Sequence, residues 1–293
     1  MTTLLRRQRH EAPLIERVSW VRAVIAWIIG LLFFFPVLYI FVTGFKTEST
    51  AIALPPALIP GVWGNLPGTF VPTMENYDEV LQRGFWPFFQ NSVIAVTVST
   101  LLVLALAIPC AFSLTWRRHE RGRDVLFFFL STKFLPAVGI IIAVFYIAKQ
   151  VDLIDQLPLL IGMYTAMNLP IAIWMLRSFL DEVPRDVLDA CRVDGANTRQ
   201  ELFSVALPMI TPGLVATVFI CAIFAWNEFF LAVSLMAHDG ATVPMYMIGF
   251  VASEGLFWAK LSAAGTMAML PIILVGWIAQ RQLVRGLSLG AVK

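Results

Sequence analysis

The sequence predicts an all-α integral membrane protein that crosses the bilayer six times, and three observations carry that prediction. Apolar residues make up 59% of the 293-residue chain and charged residues only 14%, against about 45–50% and about 25% in soluble domains; mean hydropathy is +0.79. Six stretches with few or no charges each reach the roughly 20 residues that a helix needs to cross a bilayer core: 23–45, 84–116, 125–148, 156–176, 202–227 and 261–280. No strand-like alternation of apolar and polar residues replaces them, which disfavours a β-barrel. The formal net charge of +2 is too small to suggest nucleic acid as a partner. Cys110, Cys191 and Cys221 share no metal-ligand spacing, so neither a disulfide framework nor a zinc site is suggested.

The first stretch is preceded by Arg6, Arg7, Arg9, Arg17 and Arg22, as a signal peptide would be. It is longer than a signal's apolar core of about 7–15 residues, and no small-residue cleavage site precedes Lys46, so it reads as a retained helix. An outer loop, 46–88, follows; its prolines between Pro55 and Pro72 forbid a long helix, and Glu75, Asp78 and Glu79 mark a short helix near its end. The second span is apolar from about Asn91. The third is interrupted once by Lys133, and the apolar character of the fifth runs past Glu228 to Ala237. The core is expected over 89–281, with a loop at 182–204 between the fourth and fifth spans and a tail at 282–293.

Lys and Arg concentrate in the arm 1–22, in Arg117, Arg118, Arg121 and Arg123, in Arg177, Arg185, Arg192 and Arg199, and in Arg281, Arg285 and Lys293. Only Lys46, Arg83, Lys149 and Lys260 fall on the opposite side. The positive-inside rule then puts both termini in the cytoplasm, as an even number of spans requires.

The loop between the fourth and fifth spans carries the strongest local signal. Pro184 suits the first turn of a helix, and Asp186 suits the positive end of its dipole. Val187, Ala190 and Cys191 form a small apolar face, with Arg185, Asp189 and Arg192 on a charged one. Asp194-Gly195 reads as a stop with glycine in a left-handed cap. Thr198 and Glu201 match a capping box that opens a second short helix. Two helices at a steep angle, lying under the membrane and able to dock closely on another protein, are expected here. The plainer alternative is a connector resting on lipid headgroups.

Asp189-Ala-Cys-x-x-Asp-Gly-Ala196, followed by Leu202-Phe203, Ala206-Leu207-Pro208 and Pro212, resembles the "EAA" loop of permease subunits of bacterial ABC importers. Asp189 stands for the usual Glu, and Cys191 for the second Ala. Phe89-Gln-Asn-Ser-Val-Ile94 resembles the family's opening of the second span. Ala225-Trp-Asn-Glu-Phe-Phe230 resembles a signature of carbohydrate permeases, and Arg285-Gly-Leu-Ser-Leu-Gly-Ala-Val-Lys293 resembles the ending of the smaller permeases of maltose-type importers. The resemblance implies a type I ABC importer permease fold. It implies that Asp189, Ala190, Cys191, Asp194, Gly195 and Ala196 couple the chain to an ATPase. The partners it implies are a second, similar permease in a heterodimer, an ATPase dimer that binds ATP and Mg, and an extracytoplasmic solute-binding protein; membrane lipid surrounds the chain.

Two charges remain at depth, where each costs roughly 3 kcal/mol and should face protein or water. Trp226, Asn227 and Glu228 together offer a ring face and hydrogen-bonding groups suited to sugar hydroxyls. An interhelix hydrogen bond from Glu228 is the equal alternative. Lys133 is expected to snorkel to the cytoplasmic interface, the alternative being a pair with an acid in a neighbouring helix. The chain has no Gly-x-x-x-x-Gly-Lys-(Ser/Thr) and therefore no P-loop for ATP. No cofactor of its own, no catalytic residues and no metal site are expected, since His10, His119 and His238 lie in separate loops. The function expected is that of a permease for a sugar or sugar alcohol, working by alternating access and not itself an enzyme. The rivals are an ion-coupled secondary transporter of a small polar solute, with Glu228 and Lys133 carrying the coupling, and a membrane anchor with no pathway.

Overall fold

The computed structural model describes residues 20–61, 68–116, 122–252 and 255–291. The helices run α1 (Trp20–Thr43), α2 (Glu48–Ala51), α3 (Glu75–Gln82), α4 (Phe85–Trp116), α5 (Gly122–Ser131), α6 (Ala137–Gln150), α7 (Leu157–Leu180), α8 (Arg185–Val193), α9 (Thr198–Gln200), a π-helical turn (Glu201–Ala206), α10 (Leu207–Met209), α11 (Thr211–Trp226), α12 (Phe230–Leu235), α13 (Val243–Ile248) and α14 (Trp258–Ala291). Two minimal strand pairs, Ile59–Pro60 with Thr69–Phe70 and Val251–Ala252 with Gly255–Leu256, lie between α2 and α3 and between α13 and α14.

Among the described residues four helices (α1, α4, α7 and α14) are long and apolar enough to cross a membrane unbroken. The other two spans are bent pairs: α5 with α6, and the α9–α10 segment with α11, which turns by 82°. The expected six spans are therefore present, but two of them are not the straight helices that the uncharged runs suggested. The third breaks at a 3₁₀ turn, Thr132–Phe134, followed by Leu135 and Pro136 in extended conformation. A proline cannot donate its backbone N–H and biases the residue before it away from helix, so the break falls there. The fifth breaks again after Trp226. At the other end, α14 continues through Ala291, so most of the expected tail is helix. The arm 1–19 and the basic segment 117–121 lie outside the described residues.

Lipid tails are as apolar as leucine, so helices in a bilayer associate through close packing of small residues rather than through a hydrophobic drive. That pattern fills the interior here. Ala95, Ser99, Ala107 and Ala111 of α4, Ala172 of α7, Ala216, Thr217 and Ala225 of α11, and Ala263, Ala264 and Ala268 of α14 are all buried. Gly213 of α11 lies so close to α7 that a Cβ there would overlap the ring of Phe179. The α1 helix stands apart: of its residues only Thr43 is buried, and it packs mainly on α14.

The outer surface is knitted by side chains that reach distant backbone. Glu48 accepts from the N–H groups of Ala259 and Lys260, both at 3.1 Å, and so caps the start of α14 from another element. Lys260 reaches Glu79 at 2.7 Å, and Glu79 also pairs with Arg83 at 2.6 Å. The hydrogen bond from Lys260 is the main reason the Glu79 carboxyl is held below its ordinary pKa. Asn76 donates to the carbonyls of Gly44 and Lys46 at 2.9 and 2.6 Å. The short helix expected near the end of this segment is α3.

Candidate functional site

Helix α8 begins after Pro184, with Asp186 in its first turn. It ends in a Schellman arrangement. The Ala196 N–H donates to the Cys191 carbonyl at 3.1 Å, the Gly195 N–H donates to the Arg192 carbonyl at 3.0 Å, and Gly195 has φ +83°, a conformation that favours glycine. The glycine stop is where the sequence placed it. The capping box is one residue earlier than expected. Asn197, not Thr198, is the cap: its side chain accepts from the Gln200 N–H at 3.0 Å, and the Gln200 side chain accepts from the Asn197 N–H at 2.8 Å. Glu201 is freed for another task. Its carboxylate is buried and meets the Arg192 guanidinium at 2.8 Å, while Arg192 also reaches Asp189 at 3.2 Å. The Glu201 hydrogen bond is the main influence that raises the Arg192 pKa above its ordinary value.

The inner face of α8 is Leu188, fully buried, a residue the sequence reading passed over in favour of Val187, Ala190 and Cys191. Val187, Asp189, Ala190, Asp194 and Gly195 are exposed, and Cys191 and Ala196 are half-buried. The structure therefore brings the expected coupling residues together on one elbow. It presents the small residues outward, anchors the elbow by one leucine, and ties it by an ion pair to the turn that leads into α11.

The membrane-depth residues separate. Trp226 and Asn227 line a cavity of about 1060 Å³, bounded also by Tyr39 and Thr43 of α1 and by Trp258, Ser262 and Gly265 of α14. Trp226 packs edge-on against Phe89, with ring centroids 6.0 Å apart. Asn227 returns its amide to the Ile223 carbonyl at 2.9 Å. Glu228 does something neither sequence reading considered. It stands in the gap between α11 and α12 and caps the new helix, its carboxylate accepting from Leu231 at 3.0 Å and Ala232 at 3.3 Å. Tyr164 of α7 donates to the Glu228 backbone carbonyl at 3.3 Å. The continuous fifth span therefore needs correction, because the acid at depth marks a helix restart.

The Lys133 ammonium stands 5.9 Å from the centroid of the Phe224 ring. Phe224 lies about 20 Å along α11 from Thr211. Lys133 is exposed in this chain, at the break 132–136. There it lines a second cavity of about 230 Å³ with Ile141, Met163, Met167, Pro170 and Leu231.

Two bent spans, a large cavity and a capped elbow between the fourth and fifth spans are thus the features of the site. The chain belongs to the family described as the inner membrane component of binding-protein-dependent transport systems, whose model matches residues 104–289. As an ABC transporter permease subunit it is not an enzyme; the ATPase is a separate subunit. It is similar to the probable ABC transporter permease protein y4oR of Sinorhizobium fredii, at 31% identity over 91% of this chain and 92% of the relative. It is similar to the diacetylchitobiose uptake system permease protein DasC of Streptomyces coelicolor, at 30% identity over 90% and 93%. It shares the type I importer fold of a chain in the crystal structure of a bacterial ABC transporter involved in the import of the acidic polysaccharide alginate, with TM-score 0.70, 22% identity and coverage of 90% and 95%.

Proposed function

We propose that this chain is the permease subunit of an ATP-driven importer of a sugar or sugar alcohol in the cytoplasmic membrane, with both termini in the cytoplasm. The observation that carries the reading is the elbow: α8 is capped at its end, anchored through Leu188 and tied by Arg192 to Glu201, so force applied to its outer face passes to α11 without being absorbed by a flexible loop. The force comes from a partner ATPase dimer that holds ATP and Mg; Asp189, Ala190, Cys191, Asp194, Gly195 and Ala196 form the surface it moves. A second, similar permease completes a heterodimer, and an extracytoplasmic binding protein delivers the solute. The uptake function named for the diacetylchitobiose relative supports a carbohydrate as cargo.

The bent spans support alternating access as the mechanism. When the ATPase dimer closes, the elbow shifts, and the breaks at 132–136 and 227–229 let the halves of the third and fifth spans tilt separately. Trp226 and Asn227, on the cavity wall, offer a ring face and an amide to sugar hydroxyls. Ion coupling is weakened as a rival, since the Glu228 carboxylate is already engaged by backbone N–H groups.

The test is a cysteine at Ala190 in the assembled transporter, with Cys191 replaced by Ser. Cross-linking to the ATPase, together with loss of ATP-dependent uptake in Ala190→Trp, is expected. No cross-link, and uptake at the wild-type rate in Ala190→Trp, would overturn the docking surface and with it the proposal.

A further inference from the structure

The small cavity at the break of the third span has one cation and, among the described residues, no carboxylate paired with it. Lys133 extends from the 3₁₀ turn Thr132–Phe134. Its ammonium lies 5.9 Å from the centroid of the Phe224 ring. The rest of the wall, from Ile140 and Ile141 of α6 through Met163, Met167 and Pro170 of α7 to Leu231 of α12, is apolar except for Thr132. The Thr132 hydroxyl is already spent, donating to the Phe129 carbonyl at 2.7 Å. An ammonium within a membrane-spanning segment needs a counter-charge or water. A ring face offers only part of that, because its quadrupole attracts a cation weakly compared with an anion's full charge.

Among the described residues no acid pairs with Lys133. The other acid at this level, Glu228, is turned to the N–H groups of Leu231 and Ala232. At about 230 Å³ the cavity is below the roughly 300–1,000 Å³ of complete ligand sites. It suits one charged end of a solute rather than a whole oligosaccharide.

We propose that Lys133 is a specificity-determining residue, which favours passage of solutes carrying a carboxylate or sulfonate, such as a sugar acid, over neutral sugars. This rests on the permease reading above and narrows its substrate class. The ammonium would meet the acid group at the break while the sugar ring stays in the wider path.

The test uses the complete transporter in nanodiscs, with radiolabelled D-glucuronate and D-glucose as probes in equilibrium binding. Wild type is expected to favour glucuronate by about tenfold, as suits one charge-assisted contact. Lys133→Arg should keep that preference, and Lys133→Met should lose it, with binding in wild type weakening as salt is raised. Size-exclusion chromatography of each variant checks that the complex is intact. No preference in wild type, or the same preference in Lys133→Met, overturns the proposal. So does loss of the second permease from Lys133→Met, which would assign the lysine to an ion pair between subunits. ATP-driven uptake is scored separately: if no sugar is imported while glucuronate binding still depends on Lys133, the permease reading fails and the anion site stands.

Discussion

The guanidinium of Arg192 and the carboxylate of Glu201 join two elements that the chain alone would leave hinged: Nε to Oε1 is 2.8 Å and Nη2 to Oε2 is 3.4 Å. Arg192 is in the last turn of α8, whereas Glu201 opens the π-helical turn that leads through α10 to α11. Between them lie the Gly195 stop and the Asn197 cap, where a rotation would otherwise be easy. The Glu201 side chain is 7% exposed and that of Arg192 45%, so water screens only one end of the pair.

Arg192→Met leaves a buried carboxylate without its cation, at a cost of about 1–3 kcal/mol. The elbow should then yield under load, so that ATP is hydrolysed with several-fold less solute moved per turnover. The exchange Arg192→Glu with Glu201→Arg should recover part of the coupling. Unchanged transport per ATP in Arg192→Met would show that the pair is not what transmits displacement.

Glu228 is expected to act on helix stability rather than on solute. Its carboxylate is the cap of α12, and replacing a capping side chain by Ala costs about 0.5–2 kcal/mol. Glu228→Ala should therefore melt several degrees lower in detergent, and Glu228→Gln, which keeps one acceptor oxygen, should fall between. A Glu228→Ala protein with wild-type melting and altered solute affinity would return this residue to the solute path.

The six spans were legible because each is an almost uncharged run, and the elbow because proline and glycine have strong positional meaning. The breaks were harder. Lys133 through Pro136 did contain a signal, a cation followed by a proline inside an apolar run. The break after Trp226 contains neither proline nor glycine, and its one trace, an acid at depth, reads equally well as a binding residue. Asn197 and Thr198 are both cap formers followed three residues later by Gln200 and Glu201, so pattern alone could not choose between the two registers; the pairing of Arg192 with Glu201 accompanies the choice of Asn197. Leu188 was overshadowed by its small and charged neighbours. Glu48 acts on a helix more than 200 residues away through backbone N–H groups, which every residue but proline offers, so no sequence pattern could reveal it.

The contact between Gly213 and Phe179 makes a steric prediction. Any side chain at 213 meets the Phe179 ring, where α11 crosses α7. Overpacking of this kind costs about 1–3 kcal/mol. Gly213→Ala should lower the melting temperature, and adding Phe179→Leu should restore part of it by freeing the ring's space. If Gly213→Ala melts as wild type does, the two helices are further apart than the structure has them.

Asp155 makes a pH prediction. It sits at φ +61°, tolerated by Asp better than by most residues, before α7. Its carboxylate accepts from the N–H groups of Ala237, His238, Asp239 and Gly240, at 2.9 to 3.1 Å, and so pins the loop between α12 and α13. Partial burial pushes its pKa up, but the four backbone donors together outweigh that and hold it below the ordinary 3.8. Because the folded value is the lower one, the ionised carboxylate contributes stability that is complete above the ordinary value and is lost as pH falls through the folded one. Amide exchange over 236–242 should then be slow and insensitive to ionisation of Asp155 from pH 5 to 7, about, and rise beyond the intrinsic trend only in stronger acid. Asp155→Asn, with one acceptor oxygen in place of two, should lose roughly tenfold protection at neutral pH. Equal protection in wild type and Asp155→Asn would mean that the loop is held by Asn91, which donates to the carbonyls of Asp239 and Ala241, and not by the charge.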